Sequence, residues 1–145
     1  MAAPLVFVLN GPNLNLLGTR EPEVYGSETL DDIAGALEDR ARELGLVVDV
    51  RQSNHEGHLI DWLHEAQATE ARAVILNAGG FTHSSIALHD AVKAISTPVI
   101  EVHLSNPQAR EPFRHRSYVA PVARGTIAGF GALGYLLALD AAARL

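Results

Sequence analysis

The apolar positions along the chain alternate between short continuous runs and stretches of helical spacing. Residues 5–9, 46–50, 73–76 and 98–102 are short apolar runs, the pattern of strands buried on both faces. Between the first two, Leu30, Ile33, Ala34, Leu37, Ala41 and Leu44 recur at the spacing of one helix face, with Gly45 as the C-cap. Leu59, Trp62, Leu63 and Ala66 mark a second helix, with Trp62 expected in the core. A third begins at Ser84, with Ser84 or Ser85 as its cap and Leu88, Ala91, Val92 and Ile95 facing inward. Residues 126–130 predict a short fifth strand. Residues 133–145 predict a last helix whose apolar stripe is Leu133, Leu136, Leu137 and Ala141. Strands alternating with helices make βαβ units and a parallel sheet. Five strands with right-handed crossovers predict a flavodoxin-like three-layer α/β sandwich, as a single domain over residues 1–145.

The irregular stretches are concentrated after strands, at residues 11–26, 78–82 and 104–116. Ligands of open α/β sheets sit outside the carboxyl ends of the strands, so these segments are where a site belongs. The first is too long for a connector, which takes about 2–6 residues. Gly18 and Gly26 bracket its second half as candidate hinges of a lid holding Arg20 and Tyr25. A guanidinium favours the phenolate, which is a suitable base for a proton beside a carbonyl. At the end of the fourth run, Glu101 and His103 are two residues apart and share a strand face. Glu101 is therefore placed to hold one ring nitrogen of His103 and leave the other for acid or base work. Arg110 and Arg114 lie in the loop that follows. In NAGGFTHSS, residues 77–85, Gly79 and Gly80 let the backbone approach a ligand closely, flanked by Asn77 and His83.

Composition narrows the chemistry. The chain has 145 residues and no cysteine, which removes disulfides and thiolate metal sites. A net charge of −6 argues against a nucleic-acid partner, but leaves room for a small anion bound by local arginines. No apolar run is long enough for a membrane span or signal segment, and the first reads as a strand. His55, Glu56 and His58 lack the H-E-x-x-H spacing, and with His64 they fit a polar helix face better than a metal site. Neither phosphate-loop nor dinucleotide glycine pattern follows the first strand. Gly125, Gly129, Gly131 and Gly134 are expected to serve close packing of the last strand and helix. No nucleophile elbow surrounds Ser84 or Ser85, which weakens a hydrolase built on His83 and a serine. A non-catalytic flavodoxin-like ligand-binding module explains the fold, but not Glu101 and His103 beside an arginine loop.

Six segments in order resemble the type II 3-dehydroquinate dehydratases of the shikimate pathway. They are LNGPNLNLLGTREPEVYG with SETLDDI, SNHEGHLIDWLHEA, ILNAGGFTHSSIALHDA, PVIEVHLSNPQAREPFRHRSY and GTIAGFGALGYLLAL. The resemblance implies Tyr25 as general base on a mobile lid, with Arg20 beside it. It implies His103 as general acid held by Glu101, and Asn13 as the residue placing a water against an enolate oxygen. Asn77, His83 and Arg114 would bind substrate hydroxyls. The backbone at Leu104 and Ser105, with the Ser105 hydroxyl, would take the carboxylate, and Arg110 would lie near the base. Asp90 would reach a neighbouring subunit's site in a trimer-based assembly, a dodecamer in that family. The resemblance further implies a cytoplasmic lyase acting on 3-dehydroquinate without metal or organic cofactor. Lys93, the sole lysine, is expected on a solvated helix face.

Overall fold

A computed structural model describes residues 2–145. The apolar runs become strands β1 Leu5–Asn10, β2 Val47–Gln52, β3 Ala73–Asn77 and β4 Val99–His103, joined by β5 Gly125–Ala128. The helices are α1 Pro22–Tyr25, α2 Leu30–Leu44, α3 Glu56–Ala68, α4 Ile86–Ala94 and α5 Leu133–Ala142. All strand pairs are parallel, in the order β2-β1-β3-β4-β5. This is the expected flavodoxin-like α/β arrangement. The strand order reverses beside β1, where β1 and β3 are paired and Asn10 faces Asn77 in register. That crevice is where such sheets bind ligands.

Strand periodicity divides the core in two. Val6 and Val8 of β1 point to one face with Ile75, Val102, and Ile33 and Leu37 of α2. Phe7 and Leu9 point to the other with Leu76, Leu59 and Leu63 of α3, and Leu88 of α4. Full burial of each such side chain contributes roughly 1.5–3 kcal/mol. α2 is defined at both ends by local chemistry. Thr29 and Asp32 form a reciprocal capping box, and Gly45 closes the helix in the left-handed region.

Several boundaries and faces differ from the expectation. α4 starts at Ile86, and Ser85 caps it by accepting the Leu88 N–H at 2.8 Å. Ser84 precedes the helix and is exposed. Trp62 is only half-buried, with the Arg51 guanidinium 5.6 Å from its ring. The largest correction is the phase of α5. Leu133 and Leu137 are exposed, Ala141 is exposed as well, and the buried face is Gly134, Tyr135, Ala138, Leu139 and Ala142. A helix apolar nearly all round has no stripe to fix its phase; the close fit of small residues against the sheet fixed it instead. Of the glycines assigned to packing there, Gly134 fits, with Val102 and Ile127 at van der Waals distance from a built Cβ. Gly129 and Gly131 adopt positive φ, and a Cβ on Gly125 would meet nothing within 4 Å. Among the described residues, no helix is long and apolar enough to cross a membrane.

Candidate active site

The carboxyl end of β4 carries Glu101 and His103 on one face. Glu101 is fully buried and His103 nearly so. The His103 Nε2–H donates to Glu101 Oε2 at 2.7 Å, which leaves Nδ1 as the free ring nitrogen. The same carboxylate oxygen accepts from the Thr82 hydroxyl and from the Ser117 hydroxyl at 2.7 Å. Thr126 Oγ1 donates to Oε1 at 3.3 Å. Burial works against the charged form of Glu101. The hydrogen bond and charge of His103, with the Thr82 and Ser117 hydroxyls, outweigh it and hold the carboxyl below the usual carboxylate range. Thr82, Ser117 and Thr126 carried no signal in the sequence, because each meets Glu101 only through the fold.

Tyr25 comes from the opposite kind of structure. It ends the four-residue helix α1, and Gly18 and Gly26 on either side have φ of 95° and 86°. Two cations lie over its ring: the Arg20 guanidinium carbon is 4.7 Å from the ring centroid and that of Arg110 is 5.1 Å. Arg20 is also 3.7 Å from the Glu21 carboxylate, and Arg110 donates to Ser105 Oγ at 3.2 Å.

Between these ends lies a cavity of about 50 Å³. Tyr25 and His103 both line it, as do Asn77, His83, Arg110 and Arg114. Leu104 and Ser105 complete that side; the Leu104 side chain is buried in the α2/α5 core. His83 Nδ1 donates to the Arg116 carbonyl at 2.8 Å, and its ring stacks on His103 with centroids 6.3 Å apart. Burial lowers the His83 pKa, and the charges of His103 and Arg114 add to this against the opposing hydrogen bond to Arg116. Neutral His83 with its proton on Nδ1 has Nε2 as an acceptor. Arg114 is held by Glu111 at 2.7 Å.

Three of the expected residues stand outside this lining, besides the buried Glu101. Arg20 reaches the site through Tyr25. Asn13 is exposed and in the left-handed region at φ 69°, with its backbone N–H on Asn54 Oδ1 at 3.0 Å. Asp90 is exposed on α4 and pairs with His89 at 3.0 Å. Lys93 is exposed on the same helix.

The floor of the site depends on close backbone approach. Gly11 donates its N–H to the Asn77 carbonyl at 2.8 Å. A Cβ there would sit 2.4 Å from the Ala78 carbonyl oxygen. Gly79 lines the cavity, as does Gly80, and it also approaches Pro12 of the first loop. Its neighbour Gly80 has open space around it.

Other candidates fall away. Ser85 is occupied as a helix cap and bonded to Glu56. His58 pairs with Ser53 at 2.7 Å, and among the described residues no group of three or more His, Asp or Glu side chains is arranged to hold a metal ion.

The chain is similar to known proteins in sequence and in fold. A family model described as "Dehydroquinase class II" matches residues 4–143. The 3-dehydroquinate dehydratase of Hyphomonas neptunium is 63% identical over 140 residues, covering 97% of this chain and 93% of the relative. That of Chelativorans sp. is 61% identical over 145 residues, covering 99% of each. The crystal structure of type II dehydroquinase from Propionibacterium acnes superposes with a TM-score of 0.95 at 46% identity, covering 99% of this chain and 98% of that one. The chain belongs to the class II dehydroquinase family.

Proposed function

We propose that this chain dehydrates 3-dehydroquinate to 3-dehydroshikimate, reversibly, by general acid–base elimination through an enolate. Family membership supports the substrate. The observation that carries the mechanism is a single cavity lined by a phenol with two guanidiniums over its ring and an imidazole held by a buried carboxylate.

Tyr25 removes the proton beside the ketone, with the Arg20 and Arg110 guanidiniums over its ring. The electron pair moves onto the ketone oxygen, and the water held by Asn13 donates to it. His103 then gives its Nδ1 proton to the β-hydroxyl, which leaves as water while the ring double bond forms. Glu101 fixes the ring and stabilises the imidazolium. His83 Nε2, Asn77 and Arg114 bind substrate hydroxyls. The backbone of Leu104 and Ser105, with the Ser105 hydroxyl, takes the carboxylate. Residues 1–145 act as one catalytic domain.

We further propose a trimer-based assembly, a dodecamer, in the cytoplasm. Family resemblance supports both. For the assembly, Asp90 is exposed and does not line its own cavity, which suits contact with a neighbouring site. The direct test of function is ultraviolet absorbance of the conjugated enone product on adding 3-dehydroquinate to purified protein. Absence of enone would leave the non-catalytic binding module as the reading.

A further inference from the structure

A second buried network reaches the site from the opposite side of the sheet. Asn10 and Asn77, the last residues of β1 and β3, are both buried. The β period puts them on the same face as Val6, Val8 and Ile75, toward α5. Tyr135 of α5 is fully buried beneath them. Asn77 Nδ2 donates to the Tyr135 hydroxyl at 2.8 Å. The Tyr135 hydroxyl donates to Asn10 Oδ1 at 2.6 Å. Asn10 Nδ2 donates in turn to the Arg51 carbonyl at 3.1 Å.

The polarity of this chain is determined. A backbone carbonyl accepts only, so Asn10 must present its amide nitrogen to Arg51 and its oxygen to Tyr135. Burial drives the Tyr135 pKa well up, only partly opposed by the hydrogen bond from Asn77, so the phenol keeps its proton. The phenol spends that proton on Asn10 and accepts from Asn77. At its other end the Asn77 carboxamide oxygen accepts the Gly79 N–H at 3.2 Å. Both contacts agree on one orientation, and a flipped amide would lose both. Asn77 also lines the cavity between Tyr25 and His103, and it has one N–H left to offer there.

We propose that Tyr135 is a positioning residue that sets the Asn77 carboxamide as a hydrogen-bond donor toward a substrate oxygen. This rests on the dehydratase reading above, and it adds a core residue without substrate contact to the machinery of that site. Without the hydroxyl only the Gly79 N–H holds the amide orientation, so the flipped orientation gains population and turns an acceptor toward the substrate.

The experiment is a double-mutant cycle on the full-length protein. Tyr135→Phe keeps the ring in the core and removes one oxygen. KM should rise about tenfold, the scale of one net hydrogen bond, while kcat falls less than about threefold. Asn77→Ala should raise KM at least as much, and the double variant should match Asn77→Ala within about twofold. Additive effects, or an equal fall in kcat and kcat/KM, would overturn the proposal as general core damage. An unchanged KM would overturn it as well. If Tyr135→Phe does not fold, Asn10→Ala removes the phenol's acceptor, and the same rise in KM is required. A readout independent of turnover is the Asn77 side-chain amide resonance. It should be one sharp pair in the wild type and broadened or doubled in Tyr135→Phe; an unperturbed pair sinks the proposal. Failure of the wild-type enone assay would instead reject the dehydratase reading, and the amide spectrum would still report on Tyr135.

Discussion

The two ends of the site are built on opposite principles. The His103 end sits on a central strand, and its carboxylate partner accepts hydrogen bonds from three other side-chain hydroxyls. The Tyr25 end sits on one turn of helix between two positive-φ glycines, entered through Glu21 at φ 40°. One end is pre-organised and satisfied. The other is positioned by guanidinium faces that give attraction without a fixed hydrogen-bond geometry. A left-handed non-glycine residue costs of order 1–3 kcal/mol and persists where the surroundings impose it. The difference suits a reaction in which the acid must be fixed and the base must admit a ring before it closes over it.

The strongest test of this contrast is Tyr25→Phe. Turnover should fall by about 10² or more, the scale of a lost general base, with the melting temperature nearly unchanged because a half-buried lid residue holds little core. In D₂O the variant should also lose hydrogen exchange at the carbon beside the ketone. His103→Ala should lose enone formation while that exchange survives. Exchange at the normal rate in Tyr25→Phe would show that another group is the base.

Glu101→Ala should show the reverse emphasis, with a large stability loss. The Thr82 and Ser117 hydroxyls, 3.0 Å apart, could then pair with each other, which leaves one of them and His103 with buried donors lacking an acceptor, at about 1–3 kcal/mol for each unsatisfied group. Chemical denaturation should report a loss of about 3 kcal/mol or more. A variant as stable as the wild type would mean the network is not pre-organised.

A smaller effect follows from pH. The folded-state pKa of Glu101 lies below its unfolded value, about 4.3 for a free glutamate. Its stabilisation is therefore fully present above that value and lost as pH falls through the lower, folded one. Melting temperatures should drop across this acid window, and Glu101→Gln should flatten that part of the profile. An identical acid profile in both proteins would contradict the charge assignment.

The smallest expected effect is at Lys93, exposed on α4. Lys93→Ala should keep wild-type activity, and borohydride with substrate should not inactivate the enzyme. Loss in either assay would reveal imine chemistry, against the proposed acid–base elimination.

The first four of the five predicted strands stop at Leu9, Val50, Leu76 and Val102. The structure carries them on to Asn10, Gln52, Asn77 and His103. An apolar pattern ends where polar residues begin, but the backbone ladder does not, and those polar strand ends are where the site stands. Glu101 and His103 were legible as a pair because the two-residue period of a strand is local. Tyr25 and Arg20 were legible as neighbours because they share one loop. The Arg110 guanidinium near the Tyr25 ring was legible only through the family resemblance, since no local period links residues so far apart.

The sequence by itself determined the layer order, the parallel sheet and the loops that hold the chemistry. These follow from periodicities and turn residues acting within a few positions of one another. Only the tertiary structure decided the phase of α5. Its surface is apolar nearly all round, so the buried face was chosen by packing, with Gly134 fitted against Val102 and Ile127 of the sheet. That choice brings the Tyr135 hydroxyl to Asn77, 58 positions away, and to Asn10, 125 positions away. Hydrogen bonds at such separations exist only once the strands and helix are packed, because no local pattern encodes a partner that the fold alone supplies.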